Sequence, residues 1–147
     1  MSKNQFWEDL TVGQTFTTAT VTVTPESIKE FAAQYDPQPI HLDDDFAAHS
    51  IFKGLIASGW QTLCLTMRLM VDLKPLGNTP MVGMGGEELR FLKPVRPGDV
   101  LQVTATVEKL WASKEGKGLM LLALRTFNQR EDVISQKWVV YVPRRPA

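Results

Sequence analysis

Trp60-Gln61-Thr62-Leu63-Cys64-Leu65-Thr66-Met67-Arg68-Leu69-Met70-Val71-Asp72-Leu73 is the longest apolar stretch in the chain, and its reading decides the architecture. Trp60, Leu63, Cys64, Leu65, Met67, Leu69, Met70 and Val71 cover most of a helical circumference, which predicts a helix buried nearly all round. Gln61, Arg68 and Asp72 interrupt it, and it falls short of the roughly 20 residues that cross a bilayer. It therefore reads as a central core element, with Trp60, Met67, Leu69 and Met70 as core side chains. Beyond Pro75 and the glycine-rich Gly83-Met84-Gly85-Gly86, the pattern turns to strands over Glu87 to Leu92, Val100 to Trp111, Leu119 to Asn128 and Val133 to Val142. Leu101, Val103, Ala105 and Val107 alternate along one of them, and Gly116-Lys117-Gly118 and Gln129-Arg130-Glu131-Asp132 supply turns. A long helix followed by such a meander predicts an α+β domain, an antiparallel sheet wrapped around a central helix.

Working back toward the N-terminus, Gln14 to Thr24 is rich in threonine and valine and reads as a strand. Thr24-Pro25-Glu26 then supplies a capping hydroxyl, a proline suited to the first helical position and an acid for the dipole. Ile28, Phe31, Ala32 and Tyr35 follow at the spacing of one buried face. Two prolines in Asp36-Pro37-Gln38-Pro39-Ile40-His41 predict a rigid extended loop. Asp43-Asp44-Asp45-Phe46-Ala47-Ala48 reads as a short acid-capped helix, and Phe52-Lys53-Gly54 as a turn into Leu55-Ile56-Ala57-Ser58-Gly59.

Composition narrows the partners. The 147 residues carry 16 Lys+Arg against 16 Asp+Glu, leaving no electrostatic footprint for nucleic acid or an anionic membrane. The length suits one domain spanning 1–147. The single cysteine, Cys64, has no second thiol for a disulfide or a zinc pair, which suits a reducing compartment. Met1 to Gln5 run straight into Phe6-Trp7-Glu8-Asp9 without an apolar core, so no leader is visible and a cytoplasmic location is expected.

Asp36 and His41 bracket the proline loop, which can hold both side chains toward one point. A carboxylate and an imidazole converging on one water make a general acid/base pair. The same residues equally suit a turn cap and a ring bonded to a backbone carbonyl. Ser58-Gly59 stands where the long helix begins, with N–H groups free either to bind a developing oxyanion or simply to be capped by Ser58. His49 beside Asp43, Asp44 and Asp45 matches no compact ligand spacing, so no metal is assigned. Arg90, Lys93 and Arg96 suit either a polyanionic ligand or solvated surface charge. Trp111 and Trp138 read as strand residues packed on a sheet face.

The segments Tyr35 to Asp43, Phe46-Ala47-Ala48, Gly54 to Gly59, and Leu89-Arg90-Phe91-Leu92-Lys93-Pro94-Val95-Arg96-Pro97-Gly98-Asp99 together resemble the MaoC-like, (R)-specific enoyl-CoA hydratase family. The resemblance runs from about Phe6 to about Val142 and implies the hotdog fold. It implies that Asp36 and His41 are the catalytic dyad, that the Gly59 amide is an oxyanion donor beside Ser58, and that the subunits pair as homodimers at least. It implies (R)-specific hydration of trans-2-enoyl-CoA thioesters, or the reverse dehydration, with coenzyme A as part of the substrate and no other cofactor. Three positions depart from the family pattern: Ser58 where histidine is usual, Gln38 where asparagine is common, and Tyr35 where glycine is common. The other readings are a hotdog thioesterase and a non-catalytic acyl-thioester-binding module.

Overall fold

Thr24 starts the first helix as its sequence dictates. In the computed structural model, which describes residues 3–147, its hydroxyl accepts from the Ser27 N–H at 3.1 Å and Pro25 opens α1 (Pro25–Tyr35). Met1 and Ser2, on which the expected absence of a leader partly rests, lie outside the described residues. Helix α1 buries Ile28 and Ala32. The expected extended loop after it is shorter than the sequence suggests, because Pro39 takes the first position of a helical turn, α2 (Pro39–Leu42), with Gln38 extended before it. His41 thus sits on a helix rather than a loop. Asp43 caps α3 (Asp44–Ala48), accepting from the Phe46 N–H at 3.0 Å.

The expected Gln14 to Thr24 strand is broken into β1 (Thr15–Thr17) and β2 (Val21–Thr22). At the break the Thr18 hydroxyl accepts from the Val103 N–H at 3.0 Å and donates to its neighbour's carbonyl, so a side chain replaces part of the ladder. The remaining strands are β3 (Val82–Phe91), β4 (Val100–Ala112), β5 (Gly118–Phe127) and β6 (Asp132–Tyr141). They form an antiparallel sheet in the order β1-β4-β5-β6-β3, with β2 also on β4. Strand β3 starts five residues earlier than the sequence indicates, because the glycines 83–86, which suggested a turn, lie within the ladder to β6. The outer side of β3 is a free edge among the described residues, and every residue along it is exposed.

Helix α4 (Gly59–Leu73) lies on the sheet's inner face, where Val103, Ala105, Val107, Met120, Leu122 and Leu124 meet Leu69 and Met70 in the main core. This is the hotdog arrangement. A second cluster, Val23, Ile28, Ala47, Leu55, Ala57, Val95, Leu101 and Val133, binds the short helices to the sheet. The helix is not buried all round. Its buried face is Gln61, Thr62, Thr66, Leu69 and Met70, while Trp60, Cys64, Met67 and Val71 form an exposed stripe, Trp60 being 61% and Val71 59% accessible. Leu69 and Met70 are core residues as expected, and Trp60 and Met67 are not. The sheet reaches only one side of the helix in a single chain, and it offers that side a hydroxyl: Thr66 Oγ1 lies 2.6 Å from Thr126 Oγ1 and donates to the Thr62 carbonyl at 2.9 Å.

That buried hydroxyl pair makes a specific energetic prediction. Thr66→Val leaves the Thr126 hydroxyl unpaired and lowers unfolding stability by about 1–3 kcal/mol, whereas Thr66→Val combined with Thr126→Val recovers most of the loss. Urea unfolding of the two single variants and the double variant checks it.

Candidate active site

Asp36 ends α1 and His41 lies on α2, so two short elements joined through Pro37 and Pro39 deliver them to one place. His41 Nε2 lies 3.2 Å from Asp36 Oδ2. The imidazole is 5% exposed and the carboxylate 20% exposed, so one partner is sealed while the other faces the opening. The Ile56 carbonyl lies 2.7 Å from His41 Nδ1. A carbonyl can only accept, so Nδ1 carries the hydrogen and Nε2 is the nitrogen left to exchange a proton beside Asp36. The segment that supplies this carbonyl is itself held on both sides, by Ile56 N–H on the Ile40 carbonyl at 3.4 Å and Ala57 N–H on the Val95 carbonyl at 2.8 Å.

Asp36 is an anion by construction. The Gln38 amide donates to Oδ1 at 2.6 Å, and with the Ser58 hydroxyl nearby it holds the carboxyl below its usual value, outweighing burial, with His41 adding a smaller contribution. Gln38, read in sequence as a longer substitute for asparagine, therefore reaches the carboxylate itself. Ser58 is fully buried at the start of α4 and also accepts from the Trp60 N–H at 3.3 Å. The Gln61 and Thr62 amides are taken by the Ser58 carbonyl, and the Gly59 N–H has no partner among the described residues.

These groups open on a cavity of about 450 Å³ lined by Asp36, His41, Gly59, Trp60, Phe91 and Lys93, among others. Gly59 has a packing reason to be glycine as well: a Cβ there would stand 2.4 Å from the Phe91 ring. That ring meets Trp60 edge-on, centroids 6.4 Å apart. Phe91 and Ile56 escaped the sequence reading as site residues. Phe91 lay inside the Leu89 to Asp99 motif, whereas nothing in the sequence marks a backbone carbonyl as a histidine's partner.

The other candidates separate cleanly. Of the three cations, Lys93 lines the cavity, Arg96 is tied to the Phe52 carbonyl at 2.7 Å, and Arg90 is exposed on β3. Tyr35 leans on Phe31, rings 5.2 Å apart, and does not line the cavity. The His49 ring meets the Asp45 carbonyl at 2.7 Å.

Comparison with known proteins gives this geometry a context. Residues 8–122 match the family model described as MaoC like domain. The chain belongs to the MaoC-like domain family. This MaoC-like chain is 42% identical to the MaoC-like dehydratase from Rhodospirillum rubrum in its crystal structure, with a TM-score of 0.90 over 98% of this chain and 100% of that one. It is 33% identical to protein YdeM of Bacillus subtilis over 84% of this chain and 88% of that protein. It is 30% identical to the (R)-specific enoyl-CoA hydratase of Rhodospirillum rubrum over 75% of this chain and 74% of that enzyme. The MaoC-like family supports a hydro-lyase.

Two outcomes follow from the contacts at the site. A carboxyl held below 3.8 contributes stability that is complete above that value and lost as pH falls through the lowered one. Asp36→Asn therefore flattens the decline of stability below about pH 4, read by urea unfolding between pH 6 and pH 2. Gly59→Ala lowers the melting temperature by several degrees through its clash with Phe91, and Phe91→Ala in the same chain restores part of the loss.

Proposed function

We propose that the chain adds water across the double bond of a trans-2-enoyl thioester, giving the (R)-3-hydroxyacyl thioester, and catalyses the reverse. The observation that carries this is the pairing of a carboxylate kept anionic with a histidine whose Nε2 alone is free to exchange a proton, 3.2 Å away. The hydratase named among its relatives points the same way. A water resting against both groups is positioned for C3. Asp36 takes its proton as the oxygen attacks, and His41 delivers the Nε2 proton to C2. The thioester oxygen gains charge at that moment, and the unpaired Gly59 N–H at the start of α4 is placed to meet it. Proton return from Asp36 to His41 over their direct contact resets the pair, so no metal or redox group is called for. Lys93 at the cavity rim suits the phosphates of the coenzyme A arm.

A second copy of the chain completes the structure in this reading. The free edge of β3, with Val82, Met84, Leu89 and Phe91 exposed, lies beside the exposed Trp60, Met67 and Val71 of α4. An antiparallel edge strand paired with its own copy about a two-fold axis continues the sheet and covers the helix stripe together. The location is the cytoplasm, suited to the lone cysteine; no helix among the described residues is long and apolar enough to cross a membrane.

Loss of enoyl absorbance on mixing with crotonyl-CoA tests the reaction. The wild type consumes it without releasing thiol, and Asp36→Asn and His41→Ala each lose about 10²–10⁴ in rate. Release of free thiol, or variants as active as the wild type, would sink the assignment. Light scattering tests the assembly: the wild type has twice the mass of one chain, and Met84→Lys on the β3 edge shifts it toward the single chain.

A further inference from the structure

Asp99 is a buried carboxylate that the proposed reaction does not use. It ends the Leu89 to Asp99 motif, immediately before β4, and is 2% exposed. A carboxylate is seldom sealed this far without a set of donors built for it. Here three segments supply them. The Arg96 N–H donates to Oδ2 at 3.0 Å and the Asn128 side-chain amide to the same oxygen at 3.1 Å, while the Arg130 guanidinium donates to Oδ1 at 3.0 Å. The Arg130 side chain is 53% exposed, so that partner has room to swing into water, whereas the Arg96 amide is fixed in the backbone.

The bond to Arg96 does more than close a turn. The Asp99 N–H returns a bond to the Arg96 carbonyl at 3.0 Å, and Gly98 takes φ +88° between them, so residues 96–99 are locked from both sides. The Arg96 N–H and the Val95 carbonyl belong to one planar peptide group and point opposite ways from it. Holding the N–H therefore aims the carbonyl, which accepts from the Ala57 N–H at 2.8 Å. The Ala57 N–H and the Ile56 carbonyl are again two ends of one peptide group, and that carbonyl accepts from His41 Nδ1 at 2.7 Å. A single line of bonds thus runs from imidazole to carboxylate: His41 to Ile56, Ala57 to Val95, Arg96 to Asp99. Every donor in it points toward Asp99. Bonds aligned head to tail polarise one another, so the carboxylate at the far end strengthens the bond that sets the ring's tautomer and orientation.

We infer that Asp99 is a positioning residue for His41, holding the ring through two intervening peptide groups so that Nε2 stays turned toward Asp36. It touches no reacting atom. The role belongs to the oxygen that accepts from the Arg96 N–H, and not to the ion pair with Arg130. The inference rests on His41 being the proton-exchanging group of the proposed function.

Asp99→Asn and Asp99→Leu, variants of similar size, test it. The asparagine offers its oxygen to Arg96 and Asn128 and turns its NH2 toward Arg130, which swings out; the leucine offers no acceptor. In protein labelled with 15N-histidine, NMR reads the His41 Nδ1–H, since this ring is buried and His49, the other histidine, is exposed. The signal stands downfield and exchanges slowly in the wild type and in Asp99→Asn, and in Asp99→Leu it moves upfield or exchanges away. With crotonyl-CoA, Asp99→Leu loses about tenfold to a hundredfold in kcat with KM within about twofold, and Asp99→Asn stays within about threefold of the wild type. If Asp99→Leu folds poorly, Asp99→Leu combined with Arg130→Met serves, because it leaves no guanidinium without its partner. Thr66→Val, which weakens the core away from this line of bonds, moves neither readout. A ring signal and kcat unmoved in the folded leucine variant, or the same losses in Asp99→Asn or in Thr66→Val, would overturn the inference and leave the reaction standing. If crotonyl-CoA is inert while the ring signal follows the accepting oxygen, the reaction falls and the positioning role stands.

Discussion

The hydrogen bond from His41 Nδ1 to the Ile56 carbonyl, 2.7 Å long, is the contact on which the site depends. It joins α2 to the extended segment leading into α4, and so fixes the distance between the dyad and Gly59. It also settles the ring's chemistry, since a nitrogen committed to a carbonyl leaves Nε2 alone to face Asp36. The carbonyl is held in turn by backbone bonds to Ile40 and Val95 on either side. A small cluster of aliphatic side chains around Ile28, Leu55, Ala57 and Val95 keeps this frame closed. Every polar group at the centre of the site is therefore positioned by something rigid rather than by a flexible loop.

The sheet and α4 meet a different demand. The helix presents hydroxyl and amide groups to the inner face near its start and aliphatic groups toward its end, so the core is polar beside the site and oily away from it. The Thr66 and Thr126 pair satisfies that polar region internally. Gln38 and Ser58 do the same for Asp36, holding its carboxyl below the usual value. Gln38 reaches the carboxylate with a 2.6 Å bond, and Ser58 places a hydroxyl near it while capping the helix.

The sequence made some of this legible and hid the rest for physical reasons. The proline-restricted spacing of Asp36 and His41 allowed them to converge but equally suited a turn cap and a carbonyl-bonded ring, and it was the family resemblance that paired them. The order of helix and strands was legible from periodicity, and the meander appears nearly where the alternation puts it. The exposure of Trp60, Met67 and Val71 was not, because an apolar side chain reads the same whether it meets its own sheet or lies open on a subunit. The glycines of β3 misled for a related reason: a ladder hydrogen bond needs no side chain. The contact of Phe91 with Gly59 joins residues far apart in the chain, and no local pattern encodes it.

The central claim is that Asp36 and His41, 3.2 Å apart, act on one water from one side of the substrate. Hydration carried out in D2O, with the product's C2 and C3 configurations read by NMR, tests it most directly. Groups this close deliver oxygen and hydrogen to the same face, so the account predicts a single diastereomer in which hydroxyl and deuterium have added syn to an (R)-3-hydroxyacyl thioester. Anti addition, a mixture of diastereomers, or hydrolysis of the thioester in place of hydration would contradict it.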